Sequence, residues 1–141
     1  MILIDANLLI YAVNADAPQH ATARSWVEEI LSREPRVGLA WIVILAFLRI
    51  TTKRGIFDQP LSPEQAREFV DDWLGLPTVR TVSPGPNHWP ILRNLLATSG
   101  TAGNLTSDAH LAALAIEQGY GIATSDHDFR RFPGVEIVTP F

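Results

Sequence analysis

The sequence predicts an α/β fold built on a parallel sheet of about four to five strands. Short apolar runs typical of buried strands alternate with amphipathic segments along all 141 residues. Apolar residues make up 47% of the chain and charged residues only 18%, which favours a packed core over disorder. Because no internal repeat or linker interrupts this pattern, residues 1–141 are predicted to form a single domain.

The predicted strands are short apolar runs bounded by turn residues or by amphipathic segments. The first of them, Ile-Leu-Ile at residues 2–4, is predicted to be the central strand. The full set covers residues 2–4, 37–40, 78–82, 121–124 and 135–138.

The predicted helices show apolar residues at spacings of three and four. Two stripes follow this rule most clearly, formed by Ala23, Trp26, Val27, Ile30 and Leu31 and by Ala66, Phe69, Val70, Trp73 and Leu74. Before the second stripe, Ser62 is predicted to cap the helix, with Pro63 in its first position and Gln65 completing a capping box. Further helices are predicted over residues 7–13, 42–50 and 106–117, and after residue 87.

Helix ends are predicted from single residues. Asn87 and Thr106 are expected to cap the helices that follow them, and Gly119 to stop the helix before it. Residues 99–105 are predicted to form a flexible loop. Residues 42–50 are apolar on nearly every side, so their helix is expected in the core or at a subunit contact.

The bulk composition narrows the function classes. The net charge of −4 argues against a protein that holds nucleic acid by general electrostatic attraction. Nucleic acid would have to be held by a metal and by local cations such as the pairs Lys53–Arg54 and Arg130–Arg131, which are equally typical of solvated helix ends. The absence of cysteine excludes disulfides and thiolate metal sites. No signal-peptide pattern is present, and the longest apolar stretch, residues 39–48, is too short to span a membrane. A cytoplasmic protein without a membrane segment is therefore expected.

Four aspartates, Asp5, Asp108, Asp126 and Asp128, follow predicted strands or open predicted helices. Taken singly, each has an ordinary role at a helix start, where negative charge is favourable. Taken together, they point to one site, because ligands of open α/β sheets bind outside the carboxyl ends of the strands. Carboxylates that meet there need a cation between them to stay ionised.

Oxygen ligands of this kind suit Mg²⁺ or Mn²⁺, and the predicted chemistry is metal-assisted hydrolysis of a phosphodiester. Asp5, Asp108 and Asp126 are the candidate catalytic acids, and Asp128 is a further candidate metal ligand. The candidate substrate-binding or orienting residues are Thr124, Ser125 and Asn7. Capping of the backbone is an equally good role for Thr124 and Ser125.

Other site chemistries find less support. The four histidines lack the spacing of a zinc site, and no phosphate-binding glycine motif is present. A phosphotransfer domain would need a second acid where Asn7 stands, or a lysine after a late strand.

Three segments resemble motifs of the PIN-domain ribonucleases, and in particular of the VapC toxins of bacterial toxin–antitoxin systems. They are the segments 4–12 (IDANLLIYA), 108–115 (DAHLAALA) and 124–129 (TSDHDF). The resemblance implies a PIN fold, with a parallel twisted sheet and helices on both faces. It also implies a Mg²⁺-dependent RNA endonuclease, an antitoxin partner and a homodimer.

One position departs from the family pattern. The family usually places a glutamate on the third helix, where this chain has Ala46. The alternative function is therefore a PIN-fold module that binds RNA or a partner protein without cutting.

Overall fold

The structure is a computed structural model and describes residues 1–100 and 103–141. The strands are β1 Ile2–Ile4, β2 Val37–Ala40, β3 Val79–Val82, β4 Gly121–Ala123 and β5 Ile137–Val138. The α-helices are α1 Ala6–Val13, α2 His20–Arg33, α3 Trp41–Thr51, α4 Pro63–Leu74, α5 His88–Ser99 and α6 Thr106–Gln118. Short 3₁₀ helices cover Gly103–Leu105 and His127–Arg131. Of the predicted loop 99–105, residues 101 and 102 lie outside the described residues.

The strands form one parallel sheet in the order β3-β2-β1-β4-β5, with β1 at its centre as predicted. From β1 the chain moves outward through β2 to β3, then returns to β4 on the other side of β1. Right-handed crossovers therefore place α1 to α4 on one face and α5 and α6 on the other. The predicted α/β fold with helices on both faces is confirmed. The connection that leaves β1 runs to one side of the sheet, whereas β4 is added on the other side. Open α/β sheets form their ligand crevice at such a switch in strand order, which here lies between β1 and β4.

The core lies on both faces of the central strands. Every residue of β1, β2 and β4 is buried, as expected for a parallel sheet covered by helices. Phe47 of α3 is fully buried and packs edge-on against Trp73 and Phe69 of α4, with ring centroids 4.9 and 6.4 Å away. Burial of one such ring stabilises the fold by about 1.5–3 kcal/mol and holds α3 against α4.

The predicted helix ends are partly confirmed. Ser62 and Gln65 form the capping box before α4, and Gly119 ends α6 in the left-handed conformation, with φ of 77°. Asn87 occupies the cap position of α5, but its side chain makes no capping hydrogen bond. The prediction for Thr106 was wrong by one position, because the cap of α6 is Leu105 and Thr106 is already helical.

Helix α3 is apolar on two sides but buried on only one. Val43, Ile44 and Phe47 enter the core, whereas Trp41 and Leu45 are 49% and 60% exposed. Of the two positions predicted for this helix, full burial in the core is therefore not observed in the single chain. A subunit contact stays a prediction. Within the described residues, no helix has the length and apolar character needed to cross a bilayer.

Candidate active site

Asp5 and Asp126 emerge side by side at the carboxyl edge of the sheet. Asp5 directly follows β1, and its backbone N–H donates to the Ala123 carbonyl of β4 at 2.9 Å. Asp126 comes three residues after Ala123, beyond the end of β4. The parallel pairing of β1 with β4 therefore brings together two carboxylates that are far apart in the sequence.

The Thr124 hydroxyl connects these two aspartates. It donates to Asp5 Oδ2 at 2.7 Å and accepts the backbone N–H of Asp126 at 2.9 Å. Thr124 is only 1% exposed, so both hydrogen bonds are made in the protein interior. A buried threonine thus sets the orientation of one carboxylate and the backbone path that carries the other.

Asn7 joins the same network from the first turn of α1. Its Oδ1 lies 3.4 Å from the backbone N–H of Ser125, and its Nδ2 lies 3.5 Å from the Thr124 hydroxyl. Both are long contacts. Asn7 and Ser125 are each half-buried at the edge of the sheet, beside the carboxylates.

The closest group of acids comprises Asp108, Asp126 and Asp128. One carboxylate oxygen from each lies within 4.8 Å of the other two. Asp108 stands in the first turn of α6, and Asp126 caps the 3₁₀ helix 127–131 by accepting the Asp128 N–H at 2.9 Å. Of the four predicted aspartates, the structure thus groups three at ligand distance and links Asp5 to them through Thr124.

The capping roles weighed for these aspartates are present alongside the cluster. Asp5 accepts the Ala6 N–H at 2.8 Å with Oδ1, and it holds Thr124 with Oδ2. Asp126 likewise uses Oδ1 to cap its short helix. Capping and clustering are compatible because a carboxylate has two oxygens and accepts several bonds.

The electrostatics of the site disfavour charge in the absence of a cation. Burial, followed by the charges of Asp5, Asp126 and Asp128, raises the pKa of Asp108 to about 6. Burial also raises the pKa of Asp5, against the hydrogen bonds from Thr124 and Ala6, and the charge of Asp126 adds to the increase. Such shifts are typical of functional carboxylates.

A hard divalent cation fits this donor set. The ligand atoms that this group offers are carboxylate oxygens, which Mg²⁺ and Mn²⁺ prefer. A cation there would also relieve the repulsion that raises the pKa of Asp108. Helix α3 adds no acid to the set, since Ala46 is half-buried and residues 41–51 include no aspartate or glutamate.

The sequence did not reveal how two of the histidines are used. His88 at the start of α5 is buried, and its Nε2 lies 2.9 Å from Nδ1 of His110, on α6. Burial lowers the pKa of His110, and the neighbouring His88 lowers it further. This pair joins α5 to α6, the helix that carries Asp108. No spacing rule could have found it, because the two residues meet only when the helices pack.

Comparisons with known proteins agree with this geometry. The family model of the PIN domain matches residues 2–135. The chain is 46% identical to Ribonuclease VapC37 of Mycobacterium tuberculosis, in an alignment covering 99% of this chain and 97% of that protein. The solved structure of VapC20 from Mycobacterium tuberculosis, a sarcin–ricin loop cleaving toxin, has a TM-score of 0.70 at 19% identity and covers 96% of this chain and 99% of its own. VapBC2 from Rickettsia felis, bound to a promoter DNA fragment, has a TM-score of 0.69 at 17% identity, with 99% and 98% covered.

Proposed function

This chain belongs to the PIN domain family, and from that premise we propose that it is a metal-dependent endoribonuclease, the toxin of a type II toxin–antitoxin pair. The observation that carries the proposal is the cluster of Asp108, Asp126 and Asp128, tied to Asp5 through a buried threonine. A protein that only needed helix caps would not require four carboxylates at one edge of its sheet.

The proposed ligands of Mg²⁺ or Mn²⁺ are Asp5, Asp108, Asp126 and Asp128. When bound there, the metal supplies an acidified water and neutralises charge on the phosphate. The hydrolysis itself adds water to phosphorus and breaks the bond to the leaving ribose oxygen.

The protein's own part is to hold these acids in place before substrate arrives. Thr124 donates to Asp5 and accepts from the backbone of Asp126, so it is assigned an orienting role away from the RNA. Ser125 and Asn7 lie at the edge of the sheet and are the proposed contacts to a phosphate oxygen or to the attacking water. Side chains held by supporting hydrogen bonds lose less entropy when they engage the substrate.

The proposal is tested by incubating purified protein with a mixed tRNA and rRNA pool in Mg²⁺, in Mn²⁺ and in EDTA. Cleavage is expected with either metal and none with EDTA. Asp5→Asn should abolish it, whereas Asp58→Asn, which removes an exposed carboxylate outside the site, should not. Cleavage that persists in EDTA or in Asp5→Asn would refute the metal-dependent site.

A second candidate function is RNA or protein binding without catalysis. The observation that favours it is Ala46, which leaves α3 without an acid. Ala46→Glu restores a carboxylate, which should tighten Mn²⁺ binding because each added charge strengthens a hard-cation site. If the wild-type protein cuts no RNA but Ala46→Glu does, the natural chain is the binding module.

The proposed partners are an RNA substrate, a cognate antitoxin and a second copy of the chain. An apolar cleft between α1, α2 and α4 offers a surface for an amphipathic antitoxin segment and is lined by residues that include Val13, Val27, Leu31, Phe69 and Trp73. The exposed Trp41 and Leu45 of α3 offer apolar surface for a homodimer. An RNA substrate places the proposed action in the cytoplasm, with residues 1–141 working as a single domain.

Co-expression of the chain with its neighbouring open reading frame tests the partner. The two proteins should co-purify. Ala15→Asp, which places a charge at an exposed position in the lining of the cleft, should disrupt the complex while RNA cleavage persists. Failure of the pair to associate would refute the antitoxin part of the proposal alone.

A further inference from the structure

Arg131 is a cation at the rim of the acidic cluster. Its Nε lies 3.7 Å from Asp128 Oδ1, which is an ion pair rather than a hydrogen bond. Within the described residues, this is the one ion pair that involves Asp5, Asp108, Asp126 or Asp128. The side chain of Arg131 is 56% exposed, so the terminal nitrogens of its guanidinium remain available to solvent or to a ligand.

The backbone that carries Arg131 is firmly anchored. Phe129 and Phe132 on either side of it are 0% and 2% exposed, and their rings pack edge-on with centroids 6.2 Å apart. Asp126 caps the start of the same 3₁₀ helix. The helix is therefore pinned at both ends, and the base of the Arg131 side chain has a defined position beside Asp128.

The electrostatics explain why a cation at this point matters. The chain carries a net charge of −4, and four of its carboxylates stand at this edge of the sheet. A polyanionic strand approaching the site meets repulsion unless a positive group receives its phosphates. Guanidinium groups bind phosphate through two parallel hydrogen bonds, which suits a side chain with free terminal nitrogens.

We propose that Arg131 binds a backbone phosphate of the RNA beside the scissile bond and, in the absence of metal, is held by Asp128. The inference rests on the proposed ribonuclease function and adds a substrate-binding residue to it. A divalent cation held by Asp128 would weaken the ion pair between Asp128 and Arg131 and would leave the Arg131 guanidinium available to the phosphate. Arg131 and the metal therefore compete for Asp128 but cooperate on RNA.

The competition gives this residue a signature that a structural role does not produce. Arg131→Gln is expected to raise the KM for a short single-stranded RNA about tenfold, the size of a charge-assisted hydrogen bond, with kcat changed less than threefold. The same variant is expected to bind Mn²⁺ about two- to threefold more tightly, because an exposed ion pair that opposes the metal is lost. The slope of log affinity for RNA against log salt should fall by about 0.7.

Arg130→Gln is the matched control. It removes the same charge from the neighbouring position, and Arg130 makes no ion pair within the described part of the chain. It should change KM and Mn²⁺ affinity by less than twofold. Arg131→Lys keeps the charge but loses the planar fork, so it should recover part of the RNA affinity.

The experiment measures cleavage kinetics and calorimetric Mn²⁺ binding on the full chain, with melting temperatures to confirm folding. Equal effects of Arg131→Gln and Arg130→Gln would overturn the inference in favour of general charge. Weaker Mn²⁺ binding in Arg131→Gln would overturn it in favour of a residue that merely positions Asp128. If the wild-type chain cuts RNA and Arg131→Gln leaves KM unchanged, only this inference fails. If the wild-type chain cuts no RNA, the proposed function fails and the inference with it.

Discussion

Asp108 and Glu117 stand near opposite ends of α6. The helix dipole would lower the pKa of Asp108 and raise that of Glu117, but each pKa is shifted the other way. A carboxylate at a helix N-terminus is normally stabilised and one at the C-terminus destabilised. Here the pKa of Asp108, in the first turn, is raised to about 6 by burial and by Asp5, Asp126 and Asp128. The pKa of Glu117, near the last turn, is lowered although burial alone would raise it.

Hydrogen bonds from the protein account for the difference. Glu117 accepts the backbone N–H groups of Gly85 and Asn87, each at 2.8 Å, and Gln118 and His88 favour its charge further. Asp108 faces three other carboxylates instead. The protein itself supplies hydrogen-bond donors to the Glu117 carboxylate, whereas Asp108 is surrounded by charges of the same sign. The contrast agrees with a structural role for Glu117 and with the proposed metal-binding role of Asp108 on the same helix.

The largest effect is expected for Asp108→Asn. RNA cleavage should fall by at least about 100-fold, because a proposed ligand should matter more than supporting residues, whose loss costs about 10- to 100-fold. The metal-free protein should melt at a higher temperature, since one of the repelling charges is gone. Parallel cleavage and melting assays with Asp72→Asn, an exposed acid on α4, provide the comparison. A loss of both activity and stability would make Asp108 a structural acid like Glu117.

Thr124→Val is expected to reduce both activity and stability. Valine fills the same space but leaves a carboxylate oxygen of Asp5 and the N–H of Asp126 without their partner, at a cost of about 1–3 kcal/mol. Cleavage should fall about tenfold or more as the acids lose their orientation. Thr124→Ser keeps the hydroxyl and should retain most of the activity. If valine and serine behave alike in cleavage assays, the hydroxyl does not orient the site.

Glu117→Gln should lower the melting temperature and leave cleavage within about threefold of wild type. The amide has a single acceptor oxygen, so one of the N–H groups of Gly85 and Asn87 loses its partner. Glu68→Gln, on the exposed side of α4, is the matched control. If cleavage falls by more than about threefold while the melting temperature is unchanged, Glu117 takes part in the active site as Asp108 is proposed to do.

The smallest effect is a pH dependence of stability in metal-free buffer. Between its ordinary pKa of 3.8 and about 6, folded Asp108 holds a proton that the unfolded chain releases, so its contribution to stability falls as pH rises through this window. Glu117 acts in the opposite sense, and its contribution is lost as pH falls below its ordinary value of 4.5. Denaturant titrations across this range should show both trends. Asp108→Asn should weaken the first trend, of which a part remains because the pKa of Asp5 is also raised, and should leave the second. The reverse result would contradict the assignment.

Much of the fold and the site followed from local sequence. The apolar runs identified β1 and β4. Because parallel strands share a carboxyl edge, the proximity of Asp5 and Asp126 could be predicted as well. Ser62, Pro63 and Gln65 predicted the start of α4 because a capping box depends only on residues within one turn. The resemblance to the PIN-domain ribonucleases was confirmed by the family model and by the curated relatives.

The incorrect helix-cap predictions concern residues whose hydrogen-bond partners depend on how the helices pack. Thr106 was predicted to cap α6, but the preceding 3₁₀ turn continues directly into the helix. Thr106 is therefore the first helical residue, whereas a capping side chain must stand one position before the helix. Asn87 has the right position for a cap, yet the backbone there is held by Glu117 from α6. Neither outcome is visible in the residues nearby.

The sequence by itself determined the order of the strands and α-helices, their bounds to within about two residues, and which carboxylates reach the edge of the sheet, because these depend on periodicity and chain direction. Only the tertiary structure decided which oxygens converge, that Thr124 is buried between Asp5 and Asp126, and that His88 meets His110. It also decided that Glu117 is satisfied by backbone N–H groups while Asp108 is not. These outcomes depend on distances of a few ångströms between elements remote in sequence, and such distances exist only once the helices have packed on the sheet.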